Sequence, residues 1–337
     1  MRRAWLVGAL GLALGACGGG GGESPCAAAD GGLPTDVFCI GLYAGRDPAQ
    51  LAPDVLAYKP GVTLWSDGAE KHRYLYLPPA TTIDTSDLDA WVFPPGTKAF
   101  KEFALGGKRV ETRYLHKRDD GTWEAGTYIW DASGTNATLN TQAPKGVVLP
   151  DGYEIPTQKD CDKCHHGASD ELLGVEAVAL ALPTAEGATL TVLAAAGRLS
   201  APPSPTQVAL PEDATGKAGA ALGYLHANCG MPCHSGRGLG DETKLHLRLR
   251  ADELWAPSGP IAAGATEAYL ATVDQLPTTA SIAQHFPGAR RITPGDHTKS
   301  LVWLVASLRG SYQMPPLVSH KVDTESMARL ADWIDGL

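Results

Sequence analysis

RVETRYLHKRDDGTWEAGTYIW, residues 109–130, carries a period of two. Val110, Thr112, Tyr114 and His116 alternate with charged neighbours, Asp120-Gly121 supplies turn chemistry, and Trp123, Ala125, Thr127 and Ile129 resume the alternation. Successive side chains of a strand point to opposite faces, so this pattern predicts a β-hairpin. Working outward, GVTLWSD (61–67), RYLYLP (73–78), AWVFPPG (90–96) and AFKEFAL (99–105) read as further short strands. Together they predict a β-rich antiparallel domain over 34–154, a small sandwich or barrel.

Beyond residue 155 alanine and leucine dominate and the spacing becomes helical. Asp213 or Thr215 can cap a helix whose Ala218, Ala221, Leu222 and Leu225 share one face. LVWLVASLRG (301–310) reads as a helix stopped by Gly310, and Asp323 caps a last helix with Met327, Leu330, Ala331 and Ile334 on one stripe. ALPTAEGATLTVLAAAGRLSAPPSP (181–205) reads as a helix and then a Pro-rich linker. The expected class is α+β, with a β-rich antiparallel N-terminal domain followed by a mainly α region divided into 155–212 and 213–337.

The chain opens MRRAWLVGALGLALGAC, two arginines and then an apolar run too short to span a bilayer, which reads as a signal peptide over 1–16. Leu14-Gly15-Ala16-Cys17 fits bacterial lipoprotein processing, with lipid on Cys17; an ordinary cleavage after an A-x-A-like site is the alternative. Residues 17–33 begin with Gly18–Gly22 and read as a flexible tether. The sequence holds no other long apolar run, so a lipid-anchored protein at the periplasmic or cell surface is expected. The formal charge is −9, and loss of the leader's two arginines makes it more acidic. That balance argues against nucleic acid and suits a basic protein partner.

Seven cysteines divide by role. Cys26 and Cys39, 13 apart, are expected as a disulfide in an oxidising compartment, with free buried thiols as the alternative. Cys161-Asp-Lys-Cys164-His165 is the C-x-x-C-H pattern of covalent c-type haem attachment. Two thiols reach two vinyl groups on one porphyrin edge, and the histidine that follows is swung beneath the iron. Cys229-Gly-Met-Pro-Cys233-His234 has one residue more between its thiols. It keeps the Cys-His dipeptide, and Gly230, which can take φ > 0, with Pro232, which presets a turn, suits a bulge. It reads as a second haem site. A zinc site from Cys161, Cys164, His165 and His166, or a redox-active disulfide, are the competing readings.

Met314, followed by Pro315-Pro316, is expected to present sulfur opposite His234; filling a core gap is its alternative fate. Met327 falls on a core stripe and Met231 between the cysteines. His/Met ligation raises a reduction potential. For the first site the sequence leaves His72, His116, His226, His246, His285, His297 and His320 open as a sixth ligand, together with some other side chain or no ligand at all.

YLHANC…CH (224–234), ITPGDHTKSLVWL (292–304), QMPPL (313–317) and ESMARLADWI (325–334) resemble class I-like cytochrome c domains of bacterial exported proteins. WSDGAEKHRYLYLPP, WVFPPGTKAFKEF, VETRYL and GTYIWDASGTNATL resemble the β-rich region of a family of exported dihaem proteins, so that the likeness covers roughly 60–337. The resemblance implies a cytochrome c-like fold over 213–337, two covalent haems c and electron transfer. The expected function is an anchored dihaem cytochrome serving redox protein partners. A dihaem peroxidase-like enzyme or the electron-accepting subunit of a dehydrogenase is the alternative. A binding module built on Trp65, Trp91, Trp123 and Trp130 is a third class, although such residues more often belong to cores.

Overall fold

The computed structural model describes Cys26 and residues 32–141 and 146–337, with only the backbone of 158 and 159. The signal peptide (1–16), the lipid site Cys17 and nearly all of the tether lie outside the described residues. Cys26 and Cys39 form the expected disulfide, their Cα atoms 5.1 Å apart.

The hairpin exists. Strand β4 (Lys108–Lys117) pairs with β5 (Trp123–Trp130) from Lys117↔Trp123 to Glu111↔Ile129. The loop between them has Gly121 at φ 84°. It sits in a meander of β1 (Val55–Lys59), β2 (Glu70–Tyr76), β3 (Lys98–Leu105), β4, β5 and β6 (Ala137–Leu139), each antiparallel to the next. A register shift after Phe103 leaves Val110 as the extra residue of a bulge. Val147–Val148 (β7) and Glu154–Ile155 (β8) form a separate pair.

The sandwich or barrel expectation is corrected: the meander is one open sheet, ordered β6-β5-β4-β3-β2-β1-β9. Its seventh strand, β9 (Glu186–Gly187), comes from the helical half and pairs with Tyr58 and Lys59. Two of the expected strands are also corrected. GVTLWSD is a loop because Asn228 clamps it, accepting the Trp65 N–H at 2.6 Å and donating to the Thr63 carbonyl at 3.1 Å. AWVFPPG contributes only the bridge Val92↔Asp84, since Pro94 and Pro95 have no N–H for a ladder.

Nine α-helices are described: α1 (Gln158–His165), α2 (Ala177–Ala181), α3 (Leu190–Ala195), α4 (Ala218–Leu225), α5 (Ala251–Leu254), α6 (Glu267–Leu270), α7 (Ala280–His285), α8 (Leu301–Ser307) and α9 (Thr324–Ile334). None in the described residues is long and apolar enough to cross a membrane. The α9 stripe is as expected, with Asp323 capping Ser326 N and Met327, Leu330 and Ile334 buried. The cap of α4 is corrected: Glu212 accepts the Gly219 N–H, while Asp213 turns to the Thr215 hydroxyl and to Trp333 Nε1.

Both sheet faces are covered. One packs Phe100, Tyr114, Tyr128 and Trp130 against Val37, Ile40, Leu42 and Tyr43 of the preceding segment. The other packs Leu75, Ala99 and Leu115 into a core with Leu180, Leu190, Leu222, Leu225, Leu330 and Trp333. That core runs across residue 155, so sheet and helices are held together by shared apolar burial.

Candidate functional site

The first cysteine pair rides on α1. A capping box of Thr157 and Asp160 starts this helix, each side chain meeting the other's backbone N–H. Spacings of three and four residues put Cys161, Cys164 and His165 on one helical face. His165 Nδ1 bonds the Glu171 carbonyl, and Glu171 takes φ 54°. A carbonyl only accepts, so the proton sits on Nδ1 and Nε2 keeps its lone pair. Burial, helped by the positive charge of Lys101, lowers the His165 pKa to about 3, which keeps the ring in its metal-ligating neutral form. Burial raises the Cys161 and Cys164 thiols above their ordinary value.

The second pair sits on a different helix type. Helix α4 runs directly into a π-helix, His226–Gly230, with Met231 N–H on the His226 carbonyl at 2.8 Å. The His234 N–H reaches the Cys229 carbonyl, five residues back, at 2.8 Å. In an α-helix the His165 N–H faces the carbonyl four back, that of Cys161. Each histidine therefore stands one turn beyond its first cysteine, and the π-turn absorbs the additional residue. The bulge is real but its cause differs from the sequence reading: Gly230 is not among the positive-φ residues. It is needed because a Cβ there would lie 2.6 Å from Arg248 N and the Leu247 carbonyl group. His234 is buried, with Gly240 flat against its ring, the Thr243 hydroxyl 3.4 Å from Nδ1, and its carbonyl accepting Leu247 N–H at 2.9 Å. Burial lifts the Cys229 thiol to about 12 and that of Cys233 to about 11.

The two segments touch. A side chain on Gly167 would collide with the carbonyls of Met231 and Pro232, and Ser235 Oγ donates to the Gly167 carbonyl at 2.9 Å. Cys164 stands near enough to Cys233 for its charge to raise that thiol. All four thiols are free, and with His165, His234 and Met314 they line one cavity of about 2110 Å³, counting the part continuous with solvent. Trp65, Phe103, Leu247, Val302, Val305 and Leu317 supply apolar wall. Among the described residues no three His, Cys, Asp or Glu side chains converge on a metal position, which leaves the zinc reading without a ligand set.

Met314 is anchored by its N–H on the Val305 carbonyl at 2.8 Å and is 36% exposed. Of the histidines left open for the first site, only His226 lines the cavity, and it is committed. Its Nδ1 accepts Leu249 N–H at 3.0 Å and Nε2 faces Glu176 at 3.3 Å. His72 is exposed, His116 stacks on Tyr114, His246 bonds Glu267, His285 stacks on Tyr312, His297 bonds Asp335 and His320 bonds Glu154. His166 is exposed. The four tryptophans serve the interior: Trp91 and Trp130 are buried, Trp123 Nε1 donates to Asp170, and Trp65 Nε1 to the Lys321 carbonyl.

Sequence reasoning missed Lys71, Arg73, Lys101 and Arg113, which also line the cavity. Their signal is the charged positions within or beside strand-like runs, a pattern that does not by itself tell a cavity wall from a solvent face. No family model, curated protein or solved structure matches this chain.

Proposed function

We propose that the protein is an exported, lipid-anchored c-type cytochrome with two covalent haems that passes electrons between redox protein partners at the periplasmic or cell surface. The observation that carries this reading is the pair of Cys…Cys-His turns opening into one cavity with unpaired thiols. The donors suit the group: each turn offers two thiols for thioether bonds and an imidazole one turn further, and His165 has Nε2 free. Attached haem supplies an iron that takes up and releases one electron. The chain's own part is to orient His165 through the Glu171 carbonyl and His234 through Gly240 and Thr243, and to exclude water with apolar wall. Met314, which lines the same cavity, would supply a thioether ligand to the group held by His234. The contact at Gly167 holds the two turns together, which favours transfer between them.

Expression with haem-maturation machinery, followed by mass measurement of the mature chain, tests the reading. Two covalent haems are expected. One haem would remove the π-turn site, and colourless protein with four free thiols would overturn the proposal.

A second reading, a peroxidase-like enzyme or the electron-accepting subunit of a dehydrogenase, draws on the lack, among the described residues, of an uncommitted histidine in the cavity for the first site. Magnetic and visible spectra separate the two. A high-spin first site with peroxide turnover favours catalysis, and two low-spin sites favour the carrier.

A further inference from the structure

Residues in register on antiparallel strands share a sheet face. Tyr58↔Arg73, Arg73↔Lys101 and Lys101↔Arg113 are register partners, so a row of donors crosses β1 to β4. Lys71 lies on the same face two residues from Arg73. All four cations line the cavity beside Cys161 and Cys164. Like charges directly opposite one another destabilise a sheet, and burial together with the neighbouring guanidinium groups lowers Lys101 to about 7 and Lys71 well below its ordinary value, so both hold their charge best when an anion faces them. The described residues do little to offset this. Arg73 is 7% exposed, and neither its guanidinium group nor the Lys101 ammonium has a hydrogen bond or ion pair with a described residue. Lys71 donates to the Leu64 carbonyl, which carries no charge. Arg113 is paired with Glu111 at 2.6 and 2.9 Å, but that carboxylate also accepts the Tyr153 hydroxyl. The buried Tyr58 hydroxyl at the end of the row has no partner.

Other acids that line the cavity are engaged elsewhere. Asp67 accepts the N–H groups of His320 and Lys321, Glu154 holds the His320 ring, Asp160 belongs to the α1 cap, Glu176 caps α2 and faces His226, and Asp323 caps α9. Apart from Glu111 on Arg113, no carboxylate among the described residues is hydrogen-bonded to or ion-paired with the row of Lys71, Arg73, Lys101 and Arg113.

We propose that Arg73, Lys101 and Arg113, with Lys71, form a seat for a ligand bearing paired carboxylates. Two sources share that chemistry: the propionate groups of an attached haem, which rests on the function proposed above, and a free dicarboxylate, which does not. Guanidinium and ammonium groups make charge-assisted hydrogen bonds to either, and the strand register sets the spacing of the donors.

The full-length protein, expressed with haem-maturation machinery, is titrated with succinate by calorimetry at low ionic strength. Its reduction potential is then followed from about pH 4 to about pH 8, a range that reaches ordinary carboxylate values and those raised by loss of a neighbouring cation. Arg73→Gln and Lys101→Gln are measured in parallel. A free-ligand seat gives saturable succinate binding that weakens about tenfold or more in each variant. A propionate seat gives no succinate binding, and in both variants the pH dependence of the potential moves by about one pH unit. If the glutamine variants do not fold, Arg73→Lys and Lys101→Arg, which keep the charge and move the donors, carry the same comparison. Absence of succinate binding together with an unmoved pH profile overturns the assignment. Colourless protein removes the haem reading alone, and the succinate result then decides the seat by itself.

Discussion

At the residue scale two glycines, Gly230 and Gly240, pack where the second Cys-His turn is positioned, and a Cβ on either would collide with its neighbours. Cys161, Cys164 and His165 announce themselves by spacing, whereas Gly230 has its reason in the backbone of residues 247–248, which sequence does not place beside it. The same holds for Gly240, whose neighbour is the His234 ring. Gly230→Ala is expected to destabilise the protein by about 1–3 kcal/mol, because the packed backbone has to shift. Gly240→Ala should cost a similar amount and, in haem-loaded protein, change the spectrum of the site on Cys229 and Cys233. Gly197 has φ 65° and nothing within 4 Å of a Cβ, so Gly197→Ala costs only conformational strain, about 1 kcal/mol. Denaturant midpoints of the three variants check the order, and a Gly230→Ala protein as stable as the parent would sink the packing argument.

At the scale of elements, periodicity found the β4–β5 hairpin and the α9 stripe because both carry their apolar pattern locally. It missed the loop at 61–67, whose extended residues are held by Asn228 from the other half of the chain. It also left unassigned the face of β2, β3 and β4 that carries Lys71, Arg73, Lys101 and Arg113, since charged alternation looks alike whether it meets water or a cavity. One element joint makes a pH prediction. Glu176 caps α2 through the Val178 and Ala179 N–H groups at 2.7 and 2.6 Å and faces His226 of the π-helix. Burial opposes its charge, but the His226 hydrogen bond, the Ala179 N–H and Arg248 prevail and hold its pKa below the ordinary value. A depressed folded-state pKa gives stability that is present above the unfolded value and lost as pH falls through the folded one. Glu176→Gln should therefore lower stability at pH 7 and flatten the loss below about pH 4.5, the region of ordinary glutamate titration. Melting temperatures of both proteins across the acid range test this, and parallel acid limbs would refute it.

For the whole molecule, composition and texture gave an α+β chain with a sheet first and helices after, and that much holds. What they could not give is that both share one core, because long-range burial leaves no local mark. Leu75, Ala99 and Leu115 are covered by helices from beyond residue 172, and β9 closes the sheet from the same side. Residues 34–154 expressed alone are therefore expected to lack a cooperative unfolding transition and to bind hydrophobic dyes, whereas residues 34–337 unfold in one transition. Cooperative melting of the shorter piece would contradict the shared core.

The inward orientation of the four thiols bears on how the protein is made. In the closed chain they face a space walled by the sheet on one side and by α8 and its following loop on another. An enzyme that adds a bulky planar group to them has to meet the polypeptide before those walls come together. Under the proposed function, covalent loading is then a step within folding, and export must deliver the chain with its helical half still open.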